Sequence, residues 1–354
     1  MGTYNLATKF SAKVDEAFQR AALKGLVTNN DYEFSGVDTV KVYSIPVVDL
    51  SDYARSGANR YGTPDELGNS VQTMQIRKDR AWTFTIDKLN KNQSMMVMDA
   101  GKAVARQLAL KVIPEVDTYT FLQIAKAAPT GHKSTTAITK QNAYSEFLSA
   151  QEKLGNANVP DEGRVALVSY GFAGFLKQDT AFMRDCDTAQ NMQIKGLLGM
   201  VDGCKIIRVP ASRLPNGCDF ILPPPIACVA PTVLSEYKIH TDAPGISGWL
   251  CEGRISYDAF VLDNKKDAIY YCGPFGATEQ AIALAAGEQY VVEAFNAKSG
   301  GTITASPASS APITASVSGN AVTLTGKASG TAGTYDVTIS DGTSSTVVSV
   351  KYVG

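Results

Sequence analysis

The sequence predicts an α+β body followed by a small all-β domain at the C-terminal end. Three observations carry this. Helical periodicity and strand alternation interleave as far as Cys272. The composition then changes: residues 273–354 contain no Cys, Met, Trp, His or Arg and are rich in Thr, Ser, Ala, Gly and Val. Within that segment short alternating strands recur between turn signals, the pattern of a β-sandwich. A length of 354 residues suits one large domain plus a small one, because a single core stops growing at about that size.

In chain order, residues 11–27 read as a short amphipathic helix. Phe10, Val14, Phe18 and Ala21 recur at helical spacing, and Ser11 can cap the start. Two strand-like runs follow. Residues 37–46 set Val37, Val40 and Val42 among polar neighbours, and residues 70–89 alternate Val71 and Thr73, then Ile76, then Trp82, Phe84 and Ile86. Between them residues 47–69 are polar and rich in Gly and Asp. Together they predict a long hairpin with an elaborate tip. Unbroken, the second run would extend about 60 Å. A ribbon of that reach cannot bury its far end in its own domain, and an isolated two-stranded ribbon is marginal in water. It needs a partner surface, most simply a second copy of the chain.

Residues 95–128 form the strongest helical segment. Met95, Met96, Met98, Val104, Leu108, Val112 and Ile113 lead into Val116, Tyr119, Phe121, Leu122 and Ile124. Pro114 predicts a kink or a restart, and Pro129-Thr130-Gly131 a stop. Residues 142–272 mix both periods: helices at 142–155 and 170–178, a buried strand at 164–169, and strands at 204–210 and 220–229, the last interrupted by Pro223-Pro224-Pro225. Residues 254–272 read as a hairpin around the turn Asp263-Asn264-Lys265-Lys266. Beyond 273, strands are expected at 289–295, 311–317, 321–325, 334–340 and 345–353, with turns at Ser318-Gly319-Asn320 and Ser340-Asp341-Gly342. Val322, Leu324, Tyr335, Val337, Ile339, Val348 and Val350 keep period two and can fill a core.

Lys plus Arg total 33 and Asp plus Glu 34, so the basic excess of a general nucleic-acid binder is missing. The six cysteines (Cys186, Cys204, Cys218, Cys228, Cys251 and Cys272) form no C-x-x-C pair and read as buried apolar residues of a reducing compartment. With only His132 and His240 beside them, no zinc-ligand spacing arises. Neither H-E-x-x-H, G-x-S-x-G nor G-x-G-x-x-G occurs. Gly131-His132-Lys133-Ser134 lacks the glycines of a phosphate loop and reads as a solvated loop, and His240 has no acid or nucleophile near it in sequence. No catalytic, cofactor-binding or metal-binding residue is expected. Residues 1–12 hold no apolar run behind a basic start, and no apolar stretch is long enough to span a membrane, so synthesis in a cytosol is expected.

Five segments carry a resemblance. They are 59–68 (NRYGTPDELG), 80–89 (RAWTFTIDKL), 113–117 (IPEVD), 205–215 (KIIRVPASRLP) and 244–263 (PGISGWLCEGRISYDAFVLD). In this order and context the chain, from Met1 to about Cys272, resembles the major capsid proteins of tailed bacteriophages with the Hong Kong 97-like coat fold. Its last part, above all residues 319–353, is similar to bacterial immunoglobulin-like domains. The resemblance implies an N-terminal arm over 1–36, an E-loop hairpin with flanking strands over 37–93 and the spine helix of a peripheral domain over 94–141. It further implies an axial domain over 142–250, a peripheral-domain return hairpin over 251–272 and an immunoglobulin-like domain over 273–354.

The function implied is mechanical. Pentamers and hexamers of one chain would tile an icosahedral shell around packaged double-stranded DNA held by non-specific contact, without a cofactor. Scaffolding, portal and protease-independent assembly factors would be separate proteins, and the place would be the virion capsid after synthesis in a host bacterial cytoplasm. The assembly interface expected at the E-loop tip is Asp52, Tyr53, Arg55, Asn59, Arg60, Tyr61, Asp65 and Glu66. Some members crosslink an E-loop lysine to a neighbour; residues 47–69 hold Arg55 and Arg60 but no lysine, so that chemistry is not expected. The arm begins almost at Met1, so removal of a fused scaffolding segment is not expected either. The immunoglobulin-like domain is expected to fold separately beyond Gly273-Pro274, on the outer surface. Three competitors stand beside this reading, of which a cytosolic enzyme would need a catalytic constellation that the residues do not supply. An encapsulin-type nanocompartment shell shares the coat fold but would not be expected to carry the appendage. A surface adhesin would carry it but would need a signal peptide.

Overall fold

The computed structural model of the protein describes residues 22–32, 34, 39–53, 55–57, 59–62, 66–89, 100–179, 199–241, 243–298 and 300–354. Most of the expected helix at 11–27, residues 95–99 of the next and Cys186 lie outside them; Lys24–Leu26 is a single 3-10 turn. Two compact units form, one from Asn30–Leu110 with Val229–Asn264, the other from Ala21–Asn29, Lys111–Cys228 and Lys265–Gly354.

In the first unit Thr39–Ser44 and Ser70–Gln75 pair antiparallel, Thr39 opposite Gln75 and Ser44 opposite Ser70. The inward residues Val40, Val42 and Met74 pack with Phe34, Val229 and Leu262 at the hairpin root, and Phe34 stacks on Phe260 at 6.0 Å. The second run is not one long strand. At Arg77 the backbone N–H leaves the ladder and donates to the buried Asp258 carboxylate at 3.0 Å. Lys78–Asp87 then joins a different sheet, an antiparallel ladder in the order Thr232–His240, Gly248–Tyr257, Lys78–Asp87. Helix α1 (Ala100–Gln107) covers one face, packing Ala100 and Val104 against Trp82, Phe84, Ile86 and Cys251. Gly253 stands opposite Trp82, and a Cβ there would lie 2.3 Å from the indole. Only a bare backbone lets that ring lie across the neighbouring strand.

A π-helical stretch, Leu108–Val112, directly precedes helix α2 (Ile113–Ala127). Pro114 sits in the first turn of α2, directly after the π-helical stretch, whose wider turn accommodates a residue that cannot donate. The restart that the proline demands is met in this way.

The second unit holds a six-stranded sheet in the order Lys133–Ser134, Tyr270–Cys272, Phe220–Leu222, Val165–Ser169, Cys204–Val209, Met200–Val201. Val165–Ser169 is buried throughout and runs parallel to Cys204–Val209. Helices α3 (Ala143–Asn156) and α4 (Tyr170–Gln178) bring Phe147 and Phe172 onto Phe220, which stacks on Tyr270 at 6.0 Å. Ser169 caps α4, its hydroxyl accepting from Phe172 N at 3.1 Å. Two expectations fail here. Residues 254–272 are not a hairpin: Asp263–Ala268 is a 3-10 turn, and Tyr270–Cys272 pairs with Phe220–Leu222 and Lys133–Ser134. All three of its residues are buried, which an interior strand allows and a two-stranded hairpin does not. Lys133-Ser134 is likewise an edge strand of that sheet and not a solvated loop.

Asp117 of α2 joins three segments of this unit. Its carboxylate is fully buried and accepts from Leu23 N at 3.0 Å, Lys24 N at 3.1 Å and Arg213 Nη1 at 2.8 Å. The chain beyond the amino-terminal segment is thereby fixed to α2 and to the turn Ala211–Arg213.

Residues 276–353 build a β-sandwich of two four-stranded sheets. One has the order Gly276–Ala277, Gln289–Phe295, Ala321–Gly326, Ile313–Ser318; the other Ala281–Ala285, Ser345–Val353, Gly333–Ser340, Thr304–Pro307. Val322, Leu324, Val337, Ile339, Val348 and Val350 are fully buried between them, while Tyr335 packs at the margin. Gly319, at φ +60°, makes the two-residue turn into Ala321–Gly326. Three strands escape sequence reading: Gly276–Ala277, Ala281–Ala285 and Thr304–Pro307 are rich in Ala and Ser and lack the β-branched signature.

Two outcomes are expected. Replacing Asp117 by Ala leaves Arg213 and two backbone N–H groups buried without their acceptor, and should cost about 3–5 kcal/mol in denaturant unfolding. A loss below about 1 kcal/mol would show the cluster to be dispensable. Burial also pushes the Asp219 carboxyl from its ordinary 3.8 up to about 6. The folded state therefore favours the protonated form. That contribution is complete below the ordinary value and is lost as pH rises through about 6. Asp219→Asn should flatten the decline in unfolding midpoint between pH 4 and pH 7, and raise stability at neutral pH.

Candidate assembly surface

The hairpin closes on a rung where the Ser44 and Ser70 hydroxyls hydrogen-bond to each other. Its root is clamped. Gln72 donates from Nε2 to Val261 O at 2.8 Å and accepts at Oε1 from Asp263 N at 3.0 Å, replacing a backbone ladder with a side-chain one. Beyond the rung, residues 45–69 fold on themselves. Gly62 N donates to Asn59 O at 2.9 Å, Ser51 Oγ to Tyr61 O at 3.0 Å and Arg60 Nε to Gly57 O at 3.3 Å. Tyr53 and Tyr61 meet edge to face at 5.0 Å. Gly62 has φ +85°, and a Cβ there would come within 2.9 Å of Ser51 Oγ, so the tip turn requires glycine.

Of the residues expected at the tip, Tyr53, Asn59, Arg60 and Tyr61 are brought together by this turn. Asp52, Arg55 and Glu66 are exposed along the same loop, and Asp65 lies outside the described residues. The segment, polar by composition, has an apolar side. Ile45, Val47, Val48 and Leu50 leave the first strand and Leu67 precedes the second, all exposed, Val47 at 93%. Tyr43 and Val71, opposite one another in the ladder, extend the row. Nine of the 23 exposed large apolar side chains among the described residues lie between positions 43 and 71. That is a high concentration of exposed apolar side chains for one short segment. The Ile45-Pro46-Val47-Val48 run was the available signal.

The face of the three-stranded sheet opposite α1 is charged and internally balanced. Arg254 forks onto Asp79, with Nε at 2.9 Å from Oδ1, and this hydrogen bond holds the Asp79 carboxyl below the usual carboxylate range. Glu236 stands opposite Arg254 and Lys238 opposite Glu252. His240 Nε2 lies 3.3 Å from Glu252 Oε2, so its acid comes from the adjacent strand and not from nearby sequence. Glu236, Lys238, Glu252 and Arg254 with Trp82 and Thr83 line a shallow groove. Among the described residues no three His, Cys, Asp or Glu side chains are grouped to hold a metal ion, and no helix is long and apolar enough to cross a membrane.

No family model and no curated protein sequence matches the chain. Solved structures do. One from Mycobacterium phage Che8 is 17% identical, covers 75% of this chain and 96% of its own, and superposes with a TM-score of 0.63. The capsid structure of cyanophage P-SCSP1u is 16% identical over 76% of this chain and 93% of its own, with a TM-score of 0.62. The asymmetric unit of the bacteriophage PhiM1 mature capsid is 12% identical over 76% and 91%, with a TM-score of 0.58. Over about three quarters of its length the chain has the fold of these phage structures, two of them capsids, which is the coat fold expected from its sequence.

Proposed function

We propose that the chain is the major capsid protein of a tailed bacteriophage, a structural subunit without catalysis that closes an icosahedral shell around double-stranded DNA. The observation that carries this is the coat fold shared with the phage capsid structures over three quarters of the chain. The exposed apolar row at positions 43–71 supports it, since a side chain such as Val47 gains roughly 1.5–3 kcal/mol only when something covers it. In this reading residues 1–36 are the arm, 37–93 the E-loop with its flanking strands, and 94–141 the spine helix. The axial domain begins at 142. It runs to 250, and residues 251–272 return to the peripheral domain. The partners are further copies in pentamers and hexamers, with scaffold and portal supplied separately. The near-zero net charge suits an inner wall that must release DNA.

We read the C-terminal sandwich as immunoglobulin-like. Numbered from Gly276–Ala277, its strands fall in the orders one-three-six-five and two-eight-seven-four, which are the A-B-E-D and A′-G-F-C arrangements of that fold.

The test is assembly. Val47→Asp with Leu50→Asp changes two exposed side chains, so the unassembled chain should keep its unfolding midpoint within about 0.5 kcal/mol. Electron micrographs should show closed shells for the parent protein and open sheets or free subunits for the double variant. Normal shells from the variant would remove the apolar row from assembly. A parent protein that never closes shells with scaffold present would sink the capsid reading.

A further inference from the structure

The change of composition at Gly273-Pro274 suggests a linker with few contacts across it. The structure packs that junction instead. Gly273 N donates to Ser134 O at 3.0 Å, and the Gly273 carbonyl accepts from Asn296 Nδ2. The same amide reaches Pro274 O at 3.3 Å. Asn296 is 1% exposed and takes φ +58°, a conformation asparagine tolerates better than most residues. Both backbone groups of Gly273 are therefore satisfied, one from the six-stranded sheet and one from the sandwich.

Gly217 and Gly273 mark how closely the junction packs on the body, and Gly276 how closely the strands pack inside the sandwich. A Cβ on Gly273 would lie 2.6 Å from the Tyr271 hydroxyl and 3.0 Å from Cys218 Cα. One on Gly217 would lie 2.6 Å from the Pro274 ring, and one on Gly276 would lie 2.8 Å from Phe295. Tyr271 of the sheet and Phe295 of the sandwich meet edge to face at 5.8 Å, both buried. On the flank, Lys126 in the last turn of α2 forms an ion pair with Glu293 of Gln289–Phe295. The Glu293 backbone is held in turn by Thr278, N to O at 2.9 Å and Oγ1 at 3.0 Å.

We propose that the end of α2 and the strand Tyr270–Cys272 form a docking surface for the chain's own sandwich. The sandwich is seated on the body of the subunit and braces it; it is not a module on a tether. An appendage on a tether would leave body stability unchanged when loosened, whereas a seated one shares its core with Tyr271 and Gly273. The seating belongs to the single chain. Its failure is distinguishable from failure of the capsid reading, because it is measured before assembly.

The experiment uses the full unassembled chain. Calorimetry should show the sandwich and the six-stranded sheet unfolding in one transition. Asn296→Gly keeps the backbone conformation and deletes the amide. It should split that transition in two and speed hydrogen exchange at Gly273 by about tenfold or more, the equivalent of one net hydrogen bond. Two transitions in the parent chain, or exchange in Asn296→Gly within about twofold of the parent, would overturn the proposal. If Asn296→Gly does not fold, the ion pair decides. Lys126→Glu should loosen the junction by the same measure, and Lys126→Glu with Glu293→Lys should restore it. Absence of restoration overturns the seating.

Discussion

The Asp117 carboxylate is out of reach of water, and it stays there because it accepts two backbone N–H groups and one guanidinium N–H at once. Removing a carboxylate and a guanidinium from water costs several kcal/mol each. Their attraction offsets this only when geometry is good and the remaining lone pairs are filled. Both conditions hold. The consequence is positional: α2, the turn at Ala211–Arg213 and the chain at Leu23-Lys24 must sit in one arrangement or leave a buried charge uncompensated. A hydrophobic cluster could tolerate sliding by a side chain's width. This cluster cannot, so everything attached to α2, including the contact between Lys126 and Glu293, inherits a fixed origin.

In the first unit the governing constraint is the break at Ile76-Arg77. A continuous strand would have carried one ladder from Ser70 to Asp87. Instead Asp258 takes the Arg77 N–H, and the two halves serve two sheets. The shorter half, with Gln72 bonded to Val261 and Asp263, roots a loop whose apolar residues point away from the unit's own core. The longer half stays under α1 and carries Trp82 across Gly253. One sequence run thus supplies both a rigid platform and a projecting element.

Local periodicity explains what was readable beforehand. Helices α2, α3 and α4, the buried strand Val165–Ser169 and the sandwich core all announce themselves through period 3.6 or period two within a dozen residues. What was not readable depends on distant partners. Tyr270–Cys272 alternates like a hairpin arm, but its neighbours are Phe220–Leu222 and Lys133–Ser134, far off in the chain. Gly248–Tyr257 pairs with Lys78–Asp87 across an even longer separation. Ala281–Ala285 holds its place by parallel pairing with Ser345–Val353, which its own small side chains do not reveal. At the tip, Val47 and Leu50 stand among Gly and Asp residues without a regular period, so they mark no face in the sequence. The seating of the sandwich rests on Asn296, Gly217 and Gly273, whose roles show only when the approach distances are known.

The cysteines have a consequence for chemistry in changing surroundings. Cys204, Cys218, Cys228, Cys251 and Cys272 are all buried and free. Burial pushes the thiols of Cys204, Cys228 and Cys272 up to about 12, and those of Cys218 and Cys251 also upward. Only the thiolate attacks disulfides and oxidants, and a rise of three pKa units lowers its population about a thousandfold. A protein that leaves a reducing cell for air-saturated water would ordinarily risk crosslinking or sulfenic acid at each such residue. In this fold burial and the raised thiol values act together to disfavour reaction at those five sulfurs while the chain stays folded.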